Sequence, residues 1–183
     1  MEFNDKKVLI FPEYHLSDFP PQIVYTQYDV EKVVKALALK SDIVITGYVE
    51  LYGDKLYSSC LINDGGLVYN IRKKYPYSNE EKIICGGSPD YRVLELSIGK
   101  SYFFICNDIT VELEKRRLHD FLSTNGVENI FLISAMGKNF EKWHHELKDI
   151  AFRIGIKNVI YCDRFNGIVI ENRDDESRSQ HCI

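Results

Sequence analysis

The sequence is poor in several features, and each shortage narrows the class of protein. It has one tryptophan and two methionines in 183 residues, and no apolar run approaches the length a bilayer requires. No membrane partner is expected. The opening MEFNDKK is followed by an apolar stretch too short for a signal-peptide h-region, so the expected compartment is cytoplasmic. An excess of positive charge is also missing. Lysine plus arginine number 23 against 27 aspartate plus glutamate, a net charge of -4, which argues against general attraction to nucleic acid. The five cysteines (Cys60, Cys85, Cys106, Cys162 and Cys182) are odd in number and widely spaced, with neither a CxxC pair nor zinc-site spacing. Reduced thiols are the expectation. Cys182 stands next to last, which does not make a prenylation box. There is no GxxxxGK[ST] loop to cradle a nucleotide. His144-His145-Glu146 does not suggest a metal, because adjacent histidines on a helix project about 100° apart and no i, i+4 partner histidine follows.

What is present is globular: 45% apolar, 27% charged and 13% aromatic residues, enough for one folded domain over 1–171, followed by a polar tail over 172–183. Short β-branched and aromatic runs at 7–11, 43–49, 56–62, 67–71, 93–98, 102–106, 130–134 and 159–162 read as strands. Helix-period segments lie between them. Asp29 is the expected N-cap of a helix with Val30, Val33, Val34 and Leu37 on one face; a second helix starts near Thr110, and a third covers about 139–154. Asn63-Asp64-Gly65-Gly66 and Gly99-Lys100 read as hairpin turns. The alternation predicts an α/β layered domain.

Three reactive side chains stand where apolar runs end: Glu13 after VLIFP, Lys73 after LVYNIR and Cys106 closing SYFFIC. The carboxyl ends of strands are where α/β sheets bind ligands. Taken singly, each has an ordinary reading: a core cysteine, a lysine in the solvated run Arg72-Lys73-Lys74, a loop carboxylate. Taken together they form a set with chemical logic. A thiol attacking a carbonyl carbon needs a base for its proton, which Glu13 can be. Lys73 and the amide of Asn107 can then stabilise the oxyanion.

Phe11-Pro12-Glu13, Arg72-Lys73 and Ile105-Cys106-Asn107-Asp108 occur in the order and approximate spacing of the nitrilase, or carbon-nitrogen hydrolase, superfamily, which the chain resembles from about Val8 to Gly167. Between the motifs, IVITGYVEL at 43–51 is similar to the family's strand before its hairpin, Glu112 occupies the place of a family glutamate, and Ser134-Ala135 resembles a strand end lining the pocket. The resemblance implies a four-layer αββα sandwich, trimmed at both ends, and a Glu-Lys-Cys triad that hydrolyses a small-molecule amide through a covalent thioester, without a cofactor. It implies Glu13 as general base, Lys73 as intermediate stabiliser and Cys106 as nucleophile. The accessory set it implies is Glu81, with Glu80 as the alternative, together with Asn107 and Ser134. Asn107 stands where the family has an aromatic residue, and Tyr75-Pro76 where it has His-Leu. The shortened ends imply a homo-oligomer covering the open sheet edges. The rival reading is a catalytically inactive or fragmentary binding or assembly module.

Overall fold

The strand-forming runs collect into two sheets. The computed structural model describes residues 1–3, 5–88 and 90–173 and the backbone of 180–182. The chain divides into two units, Met1–Ser88 and Pro89–Ile183, with one sheet in each.

In the first unit β1 (Glu2–Phe3), β2 (Lys6–Ile10), β3 (Ile43–Tyr52), β4 (Lys55–Asp64) and β5 (Leu67–Arg72) lie in sequence order, and α1 (Gln27–Leu37) connects β2 to its parallel neighbour β3. The remaining pairs are antiparallel. Val44, Tyr48 and Leu61 pack with Val30 and Val34 of α1. The alternate residues Ile43, Ile45 and Ile62 are buried as well. Burial on both faces is why these strands read as nearly continuous apolar runs. The expected turn after Asn63 is present: Gly65 and Gly66 take φ of 56° and 97°, and Asn63 Oδ1 accepts the Gly66 N–H at 3.0 Å. The cap of α1 differs from expectation. Thr26 is the N-cap and Asp29 lies three residues inside, the two exchanging side-chain and backbone hydrogen bonds in a capping box.

In the second unit β6 (Leu94–Leu96), β7 (Gly99–Ile105), β8 (Asn129–Ser134), β9 (Asn158–Asp163), β10 (Gly167–Asn172) and β11 (Gln180–Cys182) also follow sequence order across the sheet. The three central strands β7, β8 and β9 are parallel. Their crossovers carry α2 (Asp108–Glu112), α3 (Arg116–Thr124) and α4 (Phe140–Arg153). Tyr102, Phe104, Ile130, Leu132, Val159 and Tyr161 pack with Leu118, Leu122, Phe140, Leu147 and Ala151 from these helices. Three expectations shift. The β6–β7 register pairs Leu96 with Gly99, so Ser97-Ile98 make the turn and Gly99 opens the strand. The helix expected near Thr110 is two helices, α2 and α3. Within the predicted tail, Gln180–Cys182 pair with β10, and residues 174–179 and 183 lie outside the described residues.

One polar line crosses this apolar sheet. At the amino ends of β8 and β9, Asn158 Nδ2 donates to Asn129 Oδ1 at 2.8 Å, Asn172 Nδ2 donates to Asn158 Oδ1 at 2.9 Å, and Asn129 Nδ2 reaches the Ile98 carbonyl at 3.1 Å. These asparagines are direct cross-strand partners. No helix among the described residues is long and apolar enough to cross a membrane.

Candidate active site

Glu13 lies just past β2, where the chain still follows β3: Phe11 N–H donates to the Ile45 carbonyl at 2.9 Å and Leu16 N–H to the Gly47 carbonyl at 3.3 Å. Lys73 follows β5 directly, and its N–H donates to the Ser58 carbonyl of β4 at 2.8 Å. Strand alternation then separates two neighbours in sequence. Arg72 forms a bidentate pair with Glu50 at 2.8 Å through both Nε and a terminal nitrogen, between the rings of Tyr52 and Tyr57. Lys73 turns to Glu13 instead.

The resulting cluster is almost dry. Lys73 is 0% exposed and Glu13 1%. Lys73 Nζ donates to Glu13 Oε1 at 2.9 Å and to Glu80 Oε2 at 2.7 Å, and Ser58 Oγ donates to Glu13 Oε1 at 2.8 Å. Glu80 also accepts from the Tyr14 hydroxyl and from the Tyr77 N–H, each at 2.7 Å. Burial, reinforced by the negative charges of Glu13 and Glu80, pushes the Tyr14 phenol far above its ordinary range, so Tyr14 stays a donor. Glu13 Oε2 is buried and has no hydrogen-bond partner among the described residues.

Of the two glutamates that the resemblance offered, Glu81 first and Glu80 as its alternative, Glu80 is the one placed against Lys73. Glu81 is exposed, while Glu80 N–H donates to the Tyr77 carbonyl in a turn that aims its carboxylate at Lys73. A stretch of consecutive acidic residues gives no phase, so sequence alone does not separate the two. Ser58 carried no signal in the sequence, and Tyr14 stood out only as one of several tyrosines near the motifs. Ser58 becomes relevant only through the β4–β5 register, and Tyr14 through a left-handed backbone at φ 58° that turns its ring under Glu80.

In the second unit Cys106 directly follows β7. Its N–H donates to the Ile133 carbonyl at 2.9 Å, extending the parallel ladder by one residue, and its φ of 46° then bends the chain into α2. A side-chain-bearing residue in this region is strained, and the bend leaves Cys106 at the tip of the strand. Asp108 braces the bend by accepting the Ile105 N–H at 3.3 Å. Cys106 is partly exposed, in contrast with Cys162, which is buried and has its thiol pushed up to about 12 by burial and by Asp163.

The two accessory residues of this unit are engaged locally. Asn107 accepts the Thr110 hydroxyl at its carbonyl, 2.9 Å, and at Oδ1, 2.6 Å. Ser134 Oγ donates to Asp163 Oδ2 at 2.7 Å, so it ties β8 to β9. Asp163 further accepts the backbone N–H groups of Met136, Phe165 and Asn166 and thereby fixes the loops after both strands. Glu112 is fully buried and bonded to Tyr91 and Lys115.

No protein-family model and no curated protein matches the sequence. Solved structures do match in fold. A carbon-nitrogen hydrolase from Helicobacter pylori G27 superposes with a TM-score of 0.74 at 14% identity, over 91% of this chain and 70% of its own. Nit3 of Saccharomyces cerevisiae, a member of the nitrilase superfamily, gives 0.74 at 17% identity over 96% and 73%. The chain has the nitrilase-superfamily fold. A third nitrilase-fold neighbour, a mutant amidase from Nesterenkonia sp. AN1 in which acrylamide has added to the active-site cysteine, gives 0.74 at 18% identity over 91% and 72%. The α/β class read from the sequence is therefore the observed one. This nitrilase-like chain spans somewhat under three quarters of each neighbour.

Proposed function

We propose that this chain is a hydrolase of a non-peptide carbon-nitrogen bond, acting on the amide of a small molecule, with Cys106 as nucleophile, Glu13 as general base and Lys73 as stabiliser of the tetrahedral intermediate. The observation that carries this reading is Lys73 at 0% exposure between two carboxylates. Two acids and one base held out of water cost desolvation energy that a packed apolar cluster would not, and such groups collect at sites of chemistry. The cysteine at a strained elbow supplies the partner chemistry, and the amidase neighbour with an adduct on its active-site cysteine supports it.

The steps balance as follows. Cys106 Sγ bonds to the amide carbon while Glu13 takes the thiol proton; the C–N bond breaks as Glu13 returns that proton to the leaving amine. Water then attacks the thioester, giving a proton to Glu13; the C–S bond breaks, the acid leaves and the thiol regains its proton. Glu13 Oε2 is the oxygen left for this traffic, since Oε1 is held by Ser58 and Lys73. Glu80 and Tyr14 keep Lys73 in place.

The test is iodoacetamide labelling across pH, read by peptide mass spectrometry over the cysteines and combined with turnover on an amide panel. Cys106 is expected to label far faster than Cys162 at neutral pH, and Glu13→Gln and Lys73→Met are each expected to change that rate and remove most turnover. Turnover surviving Cys106→Ala defeats the mechanism. An inert Cys106 leaves the fold as ancestry and favours a binding or assembly module.

A further inference from the structure

Gly47 sits inside β3 among isoleucine, valine, threonine and tyrosine. Its backbone lies outside the left-handed region, so torsion does not call for glycine there. Space does. A Cβ at this position would lie 2.5 Å from the Pro12 carbonyl oxygen, 2.6 Å from Glu13 Cα and 3.1 Å from Glu13 N. All three are main-chain atoms, and no rotamer change can move them aside. The segment carrying Glu13 therefore rests directly on the bare backbone of β3.

A second glycine stands in the same relation to Lys73. Gly87 N–H donates to the Lys73 carbonyl at 2.8 Å, and a Cβ on Gly87 would lie 2.8 Å from Arg72 Cβ, 3.0 Å from the Arg72 oxygen and 3.1 Å from the Lys73 oxygen. We infer that Gly47 and Gly87 are positioning residues, setting the main-chain height of Glu13 and Lys73 so that their side chains meet at 2.9 Å. Each acts through the residue it supports. A methyl group at either position lifts one partner while Ser58 and Glu80 continue to hold the other. The weight of this seating for turnover rests on the roles proposed above for Glu13 and Lys73.

The test uses the full chain labelled with ¹⁵N-lysine, in wild type, Gly47→Ala, Gly87→Ala and Gly53→Ala. Gly53 has φ +62° and nothing within 4 Å of a Cβ, so its replacement brings backbone strain without touching the cluster. In Gly47→Ala and Gly87→Ala the Lys73 Nζ resonance is expected to shift and exchange faster, and Cys106 alkylation by iodoacetamide to slow about tenfold or more. Gly53→Ala should lower the melting temperature yet leave both signals at wild-type values. A Gly47→Ala protein with an unchanged Lys73 resonance overturns the inference. Should that variant not fold, Gly87→Ala decides by the same criterion. A wild-type Cys106 that alkylates no faster than Cys162 defeats the proposed reaction instead, and the Lys73 resonance still decides the seating.

Discussion

At Cys106 the backbone and the side chain make opposite demands. The φ of 46° favours a residue without Cβ, while the nucleophile role proposed for Cys106 needs one. Replacing the thiol by alanine keeps the strain, and replacing it by glycine relieves it. Cys106→Gly is therefore expected to be more stable than Cys106→Ala by about 1 kcal/mol in urea unfolding, with both lacking turnover. Equal midpoints would mean that the elbow relaxes once the thiol is gone. The sequence showed Cys106 at the end of an apolar run but could not show its torsion. The same limit applies to Glu80 and Glu81, whose order along the chain says nothing about which one the turn after Tyr77 points inward.

The β3–β4–β5 element is fastened on the face opposite to Lys73. Glu50 is 1% exposed and receives hydrogen bonds from Arg72, Ser59 and Asn70. Burial alone would raise its pKa, but the bonds from Arg72, Ser59 and Asn70 and the Arg72 charge outweigh it and hold the carboxyl below its usual value. A carboxyl with a depressed folded value contributes stability above the unfolded pKa of about 4.3, and loses it as pH falls through the folded one. Glu50→Gln is thus expected to cost about 2 kcal/mol at neutral pH. That gap from wild type should close below about pH 4, as read by urea titrations at several pH values. A gap independent of pH would assign the loss to packing. At this scale the strands were legible because burial on both faces makes apolar runs, and the Asn63–Gly66 turn was legible because its torsions need glycine. The cap of α1 was misplaced because Thr26 and Asp29 are both good capping residues and only their reciprocal bonds decide between them.

Across the whole molecule, sequence order specifies each sheet, and β1 and β5 in one and β6 and β11 in the other are left as edges. The edge strand β5 exposes Leu67 at 63%. Open edges invite pairing, and the chain is proposed to act as a homo-oligomer; light scattering is expected to give a multiple of 21.3 kDa, and a monodisperse monomer would refute it. The α/β layering followed from the alternation of strand and helix runs, whereas the order of the strands and their division into two sheets emerge only from the pairing. The ladder of Asn129, Asn158 and Asn172 was not legible either, since its members lie 29 and 14 residues apart and meet only through register. That ladder aligns β8, β9 and β10 from the end of the sheet opposite to Cys106, Ser134 and Asp163. A one-residue slip would break every amide pair at once, so alignment does not depend on the loops that follow β7, β8 and β9. Those loops can accept new side chains while the frame that holds Cys106 stays as it is, so under the proposed function substrate preference is free to change without loss of the fold.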